Sequence, residues 1–126
     1  MLAISLESLA IRHSAWLSAR QKAISNNVAH ASIPGYKATD VAPFADVLGK
    51  VDLNISTTNA SHLRLAREPR SRFEKVRALH SVTTHSGNSV DLDKELLRAN
   101  DVRQAYALNM GIVRSFNRML LAAVKG

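Results

Sequence analysis

The sequence predicts a mainly α fold in which long N- and C-terminal helices pack as a coiled-coil-like pair around a short irregular or small β middle segment. Three observations carry this expectation. Apolar residues recur every seven places near the C-terminus, a similar stripe runs along the first thirty residues, and the stretch between them is polar and punctuated by turn residues.

Residues 1–30 read as the first helix. Leu2, Leu6, Leu9, Trp16, Ala23 and Val28 form its stripe, while Ile4, Ile11, Leu17 and Ile24 lie partly off it and widen the apolar surface beyond what one partner helix covers. At 1.5 Å per residue a helix over 3–30 is roughly 40 Å long, and one over 91–124 roughly 50 Å. Residues 31–49 follow as a connector. Pro34 presets φ for the second position of a turn and Gly35 supplies the positive φ of the third, so Ile33 to Tyr36 bends the chain sharply. Asn26 and Asn27 bring amides that can bond exposed carbonyls or a neighbouring loop, and Tyr36 brings an apolar plate with a polar tip. Residues 43–49 form a short amphipathic turn with Phe44, Val47 and Leu48 on one side.

The middle segment, 50–86, contains two β-branched pieces, Val51 to Thr58 and Val76 to Thr84, that either pair as a small sheet or stay flexible. Gly87-Asn88-Ser89 is a turn ahead of the last helix, in residues 87–126. In that helix Leu92, Ala99, Tyr106, Val113 and Leu120 mark the seam, with Leu96, Val102, Met110, Phe116 and Val124 beside it. Asp91 is its expected N-cap, Asp93 and Glu95 place negative charge in the first turn, and Lys125 with Gly126 closes it. Gly111 costs about 1 kcal/mol relative to alanine and marks either the close approach of a neighbouring helix or a tolerated defect. His13, Arg20 and Asn109 interrupt the seams, which favours assembly between subunits over a sealed two-helix core.

Composition bounds the function class. With 126 residues the chain has room for one modest domain, and 46% hydrophobic with only 5% aromatic residues implies a shallow Ala/Leu/Val interior. There is no cysteine, which excludes disulfides, a thiol nucleophile and zinc ribbons. The five histidines, His13, His30, His62, His80 and His85, show no metal-ligand spacing, so no metal or other cofactor is expected. Asp40, Asp46, Asp91, Asp93 and Glu95 lack an apolar setting that would make one a general acid, and no nucleophile elbow or phosphate loop is present, so no enzyme is expected. No stretch reads as a membrane span or a cleaved signal.

The net charge of +7 is uneven: +3 over 1–37, −2 over 38–61, +4 over 62–80 and +2 over 81–126. Arg64, Arg67, Arg70, Arg72, Lys75 and Arg77 could form a phosphate-binding strip, but Glu68, Pro69 and Glu74 break it up and Phe73 is its lone aromatic. A solvated basic face, or one facing an acidic partner, is the preferred reading, and a small basic helical nucleic-acid-binding protein is the alternative.

Asn27-Val28-Ala29 followed by Pro34-Gly35-Tyr36-Lys37-Ala38 resembles the Asn-(Ile/Val)-Ala-Asn-x-x-Thr-Pro-Gly-Tyr-Lys-Ala signature of the bacterial flagellar axial proteins, the rod, hook and hook-associated subunits. His30 stands where the signature has its second asparagine and Ile33 where it has threonine, so a carbonyl acceptor and a turn-starting hydroxyl are missing. Within that family the chain is similar to the short proximal rod proteins. Trp16 to Gln21, Pro43 to Leu48, Ser61-His62-Leu63 and Gly87 to Glu95 carry this similarity, which leaves about 64–86 unsupported.

The resemblance implies a structural subunit of the flagellar rod, the periplasmic driveshaft of the basal body, exported unfolded by the flagellar type III apparatus without signal cleavage. It implies terminal helices that pack with other copies and with other rod and basal-body proteins, and no small-molecule ligand. Asn26, Asn27, Ala29, Pro34, Gly35, Tyr36 and Lys37 are then the signature residues. The expected assembly seams are Leu2, Leu6, Leu9, Trp16, Ile24 and Val28 on the first helix, and Leu92, Leu96, Ala99, Tyr106, Met110, Val113, Phe116 and Leu120 on the last.

Overall fold

The structure is a computed structural model that describes residues 6–49, 73–78 and 82–126. Leu2, Ile4, the stretch from Val51 to Thr58, Ser61-His62-Leu63, the four arginines from Arg64 to Arg72, and His80 lie outside the described residues.

The elements in order are α1 (Leu6–Ala29), β1 (Thr39–Val41), α2 (Phe44–Gly49), β2 (Lys75–Arg77) and α3 (Leu92–Lys125). The long terminal helices and the small antiparallel sheet bear out the expected fold class. α3 starts where its cap says it should. The Asp91 side chain accepts from the backbone N–H of Asp93 and Lys94, Asp93 and Glu95 sit in the first turn, and the Gly126 N–H closes the far end on the Ala122 carbonyl.

The sheet is not the one expected. Val76 and Arg77 are in a strand, but the partner is Thr39–Val41 from the connector, in the register Thr39 opposite Arg77 and Val41 opposite Lys75. The connector is extended there because other groups already hold its backbone: Asn27 binds both polar groups of Thr39, and the Ser89 hydroxyl accepts from the Ala38 N–H. The ladder continues past the strands through Ala42 N–H to Glu74 C=O and Ala78 N–H to Ala38 C=O, both 3.0 Å. The amphipathic turn at 43–49 is a short helix, opened by bonds from the Asp46 and Val47 N–H groups to the Pro43 carbonyl.

The main core joins Trp16, Leu17, Ala23 and Ile24 of α1 to Val41 of β1 and Val102 of α3, with Phe44, Val47, Phe73, Ala99 and Ala105 packed around it. Small residues on α3 let the helices approach closely. A second cluster of Ala38, Ala78 and Val90, flanked by Ala31 and Tyr36, holds the connector against the stretch that leads into α3.

The polar residues that interrupt the seams make contacts within this chain. The buried Asn109 amide donates to the Ala10 carbonyl at 3.0 Å and to the Ser14 hydroxyl at 2.7 Å. Arg20 spans Trp16 and Asp40, with its guanidinium 5.3 Å from the indole centroid and Nε 3.3 Å from the carboxylate. His13 lies against Trp16 and Phe44, with ring centroids 5.9 and 4.8 Å away, and the Trp16 Nε1–H donates to the Ala42 carbonyl at 2.8 Å.

Inside this chain, α3 packs on α1 along a different line of residues from the one expected as its assembly seam. The face against α1 runs through Glu95, Ala99, Val102 and Asn109, while Leu92, Leu96 and Tyr106 are exposed. The heptad reading placed the partner along the most hydrophobic line of the helix. Here the capped connector fixes how α3 is rotated, and that rotation puts Glu95 inside. Glu95 was expected to lack an apolar setting, yet it is 2% exposed, with Oε1 bonded to Arg98 at 2.9 Å and Oε2 without a hydrogen-bond partner.

Candidate functional site

The signature residues converge on a compact hydrogen-bonded lock between the end of α1 and the turn before α3. Asn27, fully buried in the last turn of α1, treats Thr39 as a strand would: Nδ2 donates to its carbonyl at 2.7 Å and Oδ1 accepts its N–H at 3.0 Å. The same Oδ1 accepts the Tyr36 hydroxyl at 3.3 Å. An amide offers a donor and an acceptor side by side, as this pairing with one residue's C=O and N–H requires.

α1 unwinds through Ala31 N–H to Val28 C=O and Ile33 N–H to His30 C=O, and its exposed carbonyls need other donors. Asn88 supplies them from 55 or more residues away. Its Nδ2 lies 3.0, 2.9 and 2.7 Å from the carbonyls of His30, Ala31 and Ile33, and its Oδ1 accepts the Val90 N–H at 2.8 Å. The turn then closes with Tyr36 N–H on the Ile33 carbonyl, and Gly35 has φ +75° as the expected turn requires.

Four further contacts close the lock: Gly35 N–H to Ser86 C=O at 3.0 Å, Ser89 N–H to Tyr36 C=O at 2.9 Å, Ala38 N–H to Ser89 Oγ at 2.8 Å and Lys37 Nζ to Gly87 C=O at 2.9 Å. Gly87 itself has φ +80°, and a Cβ there would sit 3.4 Å from the Gly35 Cα. An added Cβ would just reach the Gly35 backbone, so the left-handed conformation is the main reason for glycine at 87.

His30, at the departure from the signature, stacks on Tyr36 with centroids 4.8 Å apart and planes 11° apart. Its Nδ1 lies 2.6 Å from the Asn26 carbonyl, which can only accept, so that nitrogen carries the hydrogen. A ring thus fills the place of the missing amide. Ile33, 47% exposed, contributes its backbone to the turn. Pro34 and Ala29 are exposed, and Asn26 takes part through its carbonyl.

Sequence reasoning found Asn27, Gly35, Tyr36 and Lys37, and read Asn88 and Ser89 as a turn within the run that carries the family resemblance, without seeing their bonds to the end of α1. The available signal was an Asn-Ser pair directly before the apolar Val90 and an N-cap, where a buried turn needs its own donors. The strip from Arg64 to Arg77 is described only at Lys75 and Arg77, both exposed on β2. Among the described residues no group of three His, Asp or Glu side chains could hold a metal ion, and no helix is long and apolar enough to cross a membrane.

The second feature is the uncovered length of α3. Leu92, Leu96, Leu97, Tyr106, Leu108, Ile112, Phe116, Met119, Leu120, Leu121 and Val124 are exposed, and at 3.6 residues per turn they are spread around the helix, whose far end is bare on every side. Of the expected seam residues, Ala99 packs on the core, Met110 and Val113 are half-buried, and Leu92, Leu96, Tyr106, Phe116 and Leu120 face outward. On α1, Trp16 and Ile24 are core residues, Leu6 and Leu9 are half-buried, and Val28 is exposed. A shallow cavity of about 350 Å³ between Leu17 and Gln21 on one helix and Ala99 and Tyr106 on the other shows that the helix pair is itself grooved.

No protein-family model matches the chain. It is similar to the flagellar basal body rod protein FlgB of Agrobacterium fabrum (strain C58), 35% identical over 130 residues, an alignment that covers 99% of this chain and 96% of the relative.

Proposed function

We infer the function from a plain premise: the chain belongs to the FlgB family of flagellar basal body rod proteins. Its role is structural, as a component of the flagellar basal body rod. In our reading it forms a single rod-subunit domain in which the two features above have separate tasks. The lock between Asn27, Tyr36, Asn88 and Ser89 fixes the shape of the subunit, and the exposed apolar residues along α3 make the contacts between subunits.

The observation that carries this division is where the apolar residues fall. Asn27, Tyr36 and Lys37 of the signature find hydrogen-bond partners within the subunit, whereas large side chains such as Leu96, Met119 and Val124 are 62 to 85% exposed. Burying such a side chain is worth about 1.5–3 kcal/mol, so neighbouring helices in the rod gain most from these residues. The partners are other copies and other rod and basal-body proteins. Ordering the far end of α3 costs about 1–2 kcal/mol per residue in backbone entropy. Coupling that cost to burial raises the concentration at which free subunits polymerise. Passage through the flagellar type III apparatus without signal cleavage, and residence in the periplasmic rod, belong to the same reading.

The test is a strain lacking this chain, complemented with the whole chain or with residues 113–126 removed. The cut falls beyond the α1 contacts of Val102 and Asn109, so the subunit keeps its core. Rods and swimming restored only by the whole chain are expected; equal rescue by both would overturn the reading. The nucleic-acid alternative draws no support from the relative's name.

A further inference from the structure

The uncovered residues of α3 divide by charge along its length. In the head, residues 91–101, four carboxylates stand against two cations. Both cations are engaged locally, Arg98 with Glu95 at 2.9 Å and Lys94 with Asp91 at 3.6 Å. Asp93 and Asp101 are left exposed beside Leu92, Leu96 and Leu97, which are 54, 72 and 65% exposed. The rest of the helix from Arg103 to Lys125 carries Arg103, Arg114, Arg118 and Lys125 and no carboxylate. Its last turns expose Met119, Leu121 and Val124 at 62, 61 and 85%.

Head and tail are therefore complementary twice over, apolar to apolar and acidic to basic. They cannot meet within one straight helix. Leu96 lies about a third of a turn around the axis from Val102, the residue that packs on α1, so the head stays accessible while α1 is in place. Opposite charges on matching apolar surfaces steer docking and fix its direction.

We propose that the tail of α3, residues 113–125, docks along the acidic, leucine-bearing head of α3, residues 91–101, in a second copy of this chain. This rests on the rod reading and goes further in naming the surfaces and their polarity. The contact is heterologous. Docked with a stagger, the first copy keeps a free head and the second a free tail, so the contact propagates in one direction as a growing rod requires. Reciprocal antiparallel docking would close into a dimer, which is an outcome that overturns the proposal.

The experiment uses sedimentation velocity on the full chain and two charge-reversed variants, Asp93→Lys/Asp101→Lys in the head and Arg114→Glu/Arg118→Glu in the tail. All four positions are exposed, and circular dichroism checks that the helices persist. The wild-type chain should grow past the dimer as concentration rises. Each variant alone should need at least ~10-fold more protein to associate, since two like-charge contacts replace two attractive ones. An equimolar mixture of the two should associate again, because a basic head now meets an acidic tail and an acidic head a basic one. Raising salt from ~0.05 to ~0.5 M should weaken wild-type assembly several-fold by screening these exposed charges.

A monomeric wild type, growth that halts at a dimer, reversals without effect, or a mixture that stays monomeric would each overturn the proposal. So would salt-insensitive assembly, which reads out the wild-type chain should a variant fail to fold. Swimming of the deletion strain complemented with the wild-type chain tests the rod reading separately, since it does not depend on which faces meet.

Discussion

Asn27 holds Thr39 by both of its backbone polar groups, donating to the carbonyl at 2.7 Å and accepting from the N–H at 3.0 Å, from a position with no solvent exposure. Replacing it with alanine leaves those groups unpaired in the interior, and an orphaned buried group costs about 1–3 kcal/mol. Asn27→Ala should lower stability by about 2–4 kcal/mol, and Asn27→Asp, which loses the donor facing the carbonyl, by a similar amount. Urea denaturation of the purified chain followed by circular dichroism measures this, and a loss below about 0.5 kcal/mol would show that the lock is ornamental.

Asn88 caps three carbonyls of the unwinding helix end with one amide nitrogen. Asn88→Asp removes the donor and aims oxygen at oxygen, whereas Asn88→Ala removes the donor alone. The aspartate variant should be the less stable of the two, with the alanine variant down by about 2 kcal/mol. Equal midpoints in urea would contradict this geometry.

The two positive-φ glycines differ in their surroundings. A Cβ at Gly35 meets nothing within 4 Å, but one at Gly87 meets the Gly35 backbone at 3.4 Å. Gly35→Ala should cost about 1–2 kcal/mol from the left-handed backbone alone, and Gly87→Ala should cost more. The order of their melting temperatures checks the claim.

Gly111 has open space around a Cβ in the middle of α3. Gly111→Ala should therefore stabilise the free chain by about 1 kcal/mol through helix propensity. If the glycine admits a neighbouring helix in the rod, the same substitution should impair swimming. A more stable chain in poorly motile cells is the expected pair of results, and unimpaired swimming would make Gly111 a tolerated defect.

Much of this fold was legible because its signals are local. The Asp91 cap, the acidic first turn of α3 and the Pro34-Gly35 bend each involve residues within a few positions of one another, and each stands where expected. The strand Thr39–Val41 was hidden because its three residues pair with Lys75–Arg77 far along the chain, and nothing local marks them as extended. The phase of α3 was hidden for a related reason. Leu92 and Leu96 look like a seam from within the helix, yet the rotation is set by Asn88 and Ser89 holding the preceding turn against α1, which buries Glu95 and Asn109 in their place. Both sides of the lock carried the family resemblance, but the capping role of Asn88 was not readable, since a turn asparagine and a buried cap look alike in sequence.

Amide hydrogen exchange should follow the packing of α3. From Glu95 to Asn109 the helix lies against α1, while from Arg114 onward its side chains are exposed. In the free chain the amides of 114–125 should exchange at least ~10-fold faster than those of 99–109, a gap of about 1.4 kcal/mol in opening free energy. Uniform protection along the helix would contradict assembly-coupled ordering of the tail.

The central claim is that the exposed apolar residues of α3 are what the rod buries. Electron cryo-microscopy of basal bodies containing this chain, at a resolution that shows side chains, tests it most directly. The account predicts Leu96, Met119 and Leu120 packed against neighbouring subunits, with Asn27 still bonded to Thr39 inside its own chain. Those side chains facing solvent in the assembled rod, with the Asn27 lock opened to bind a neighbour, would contradict it.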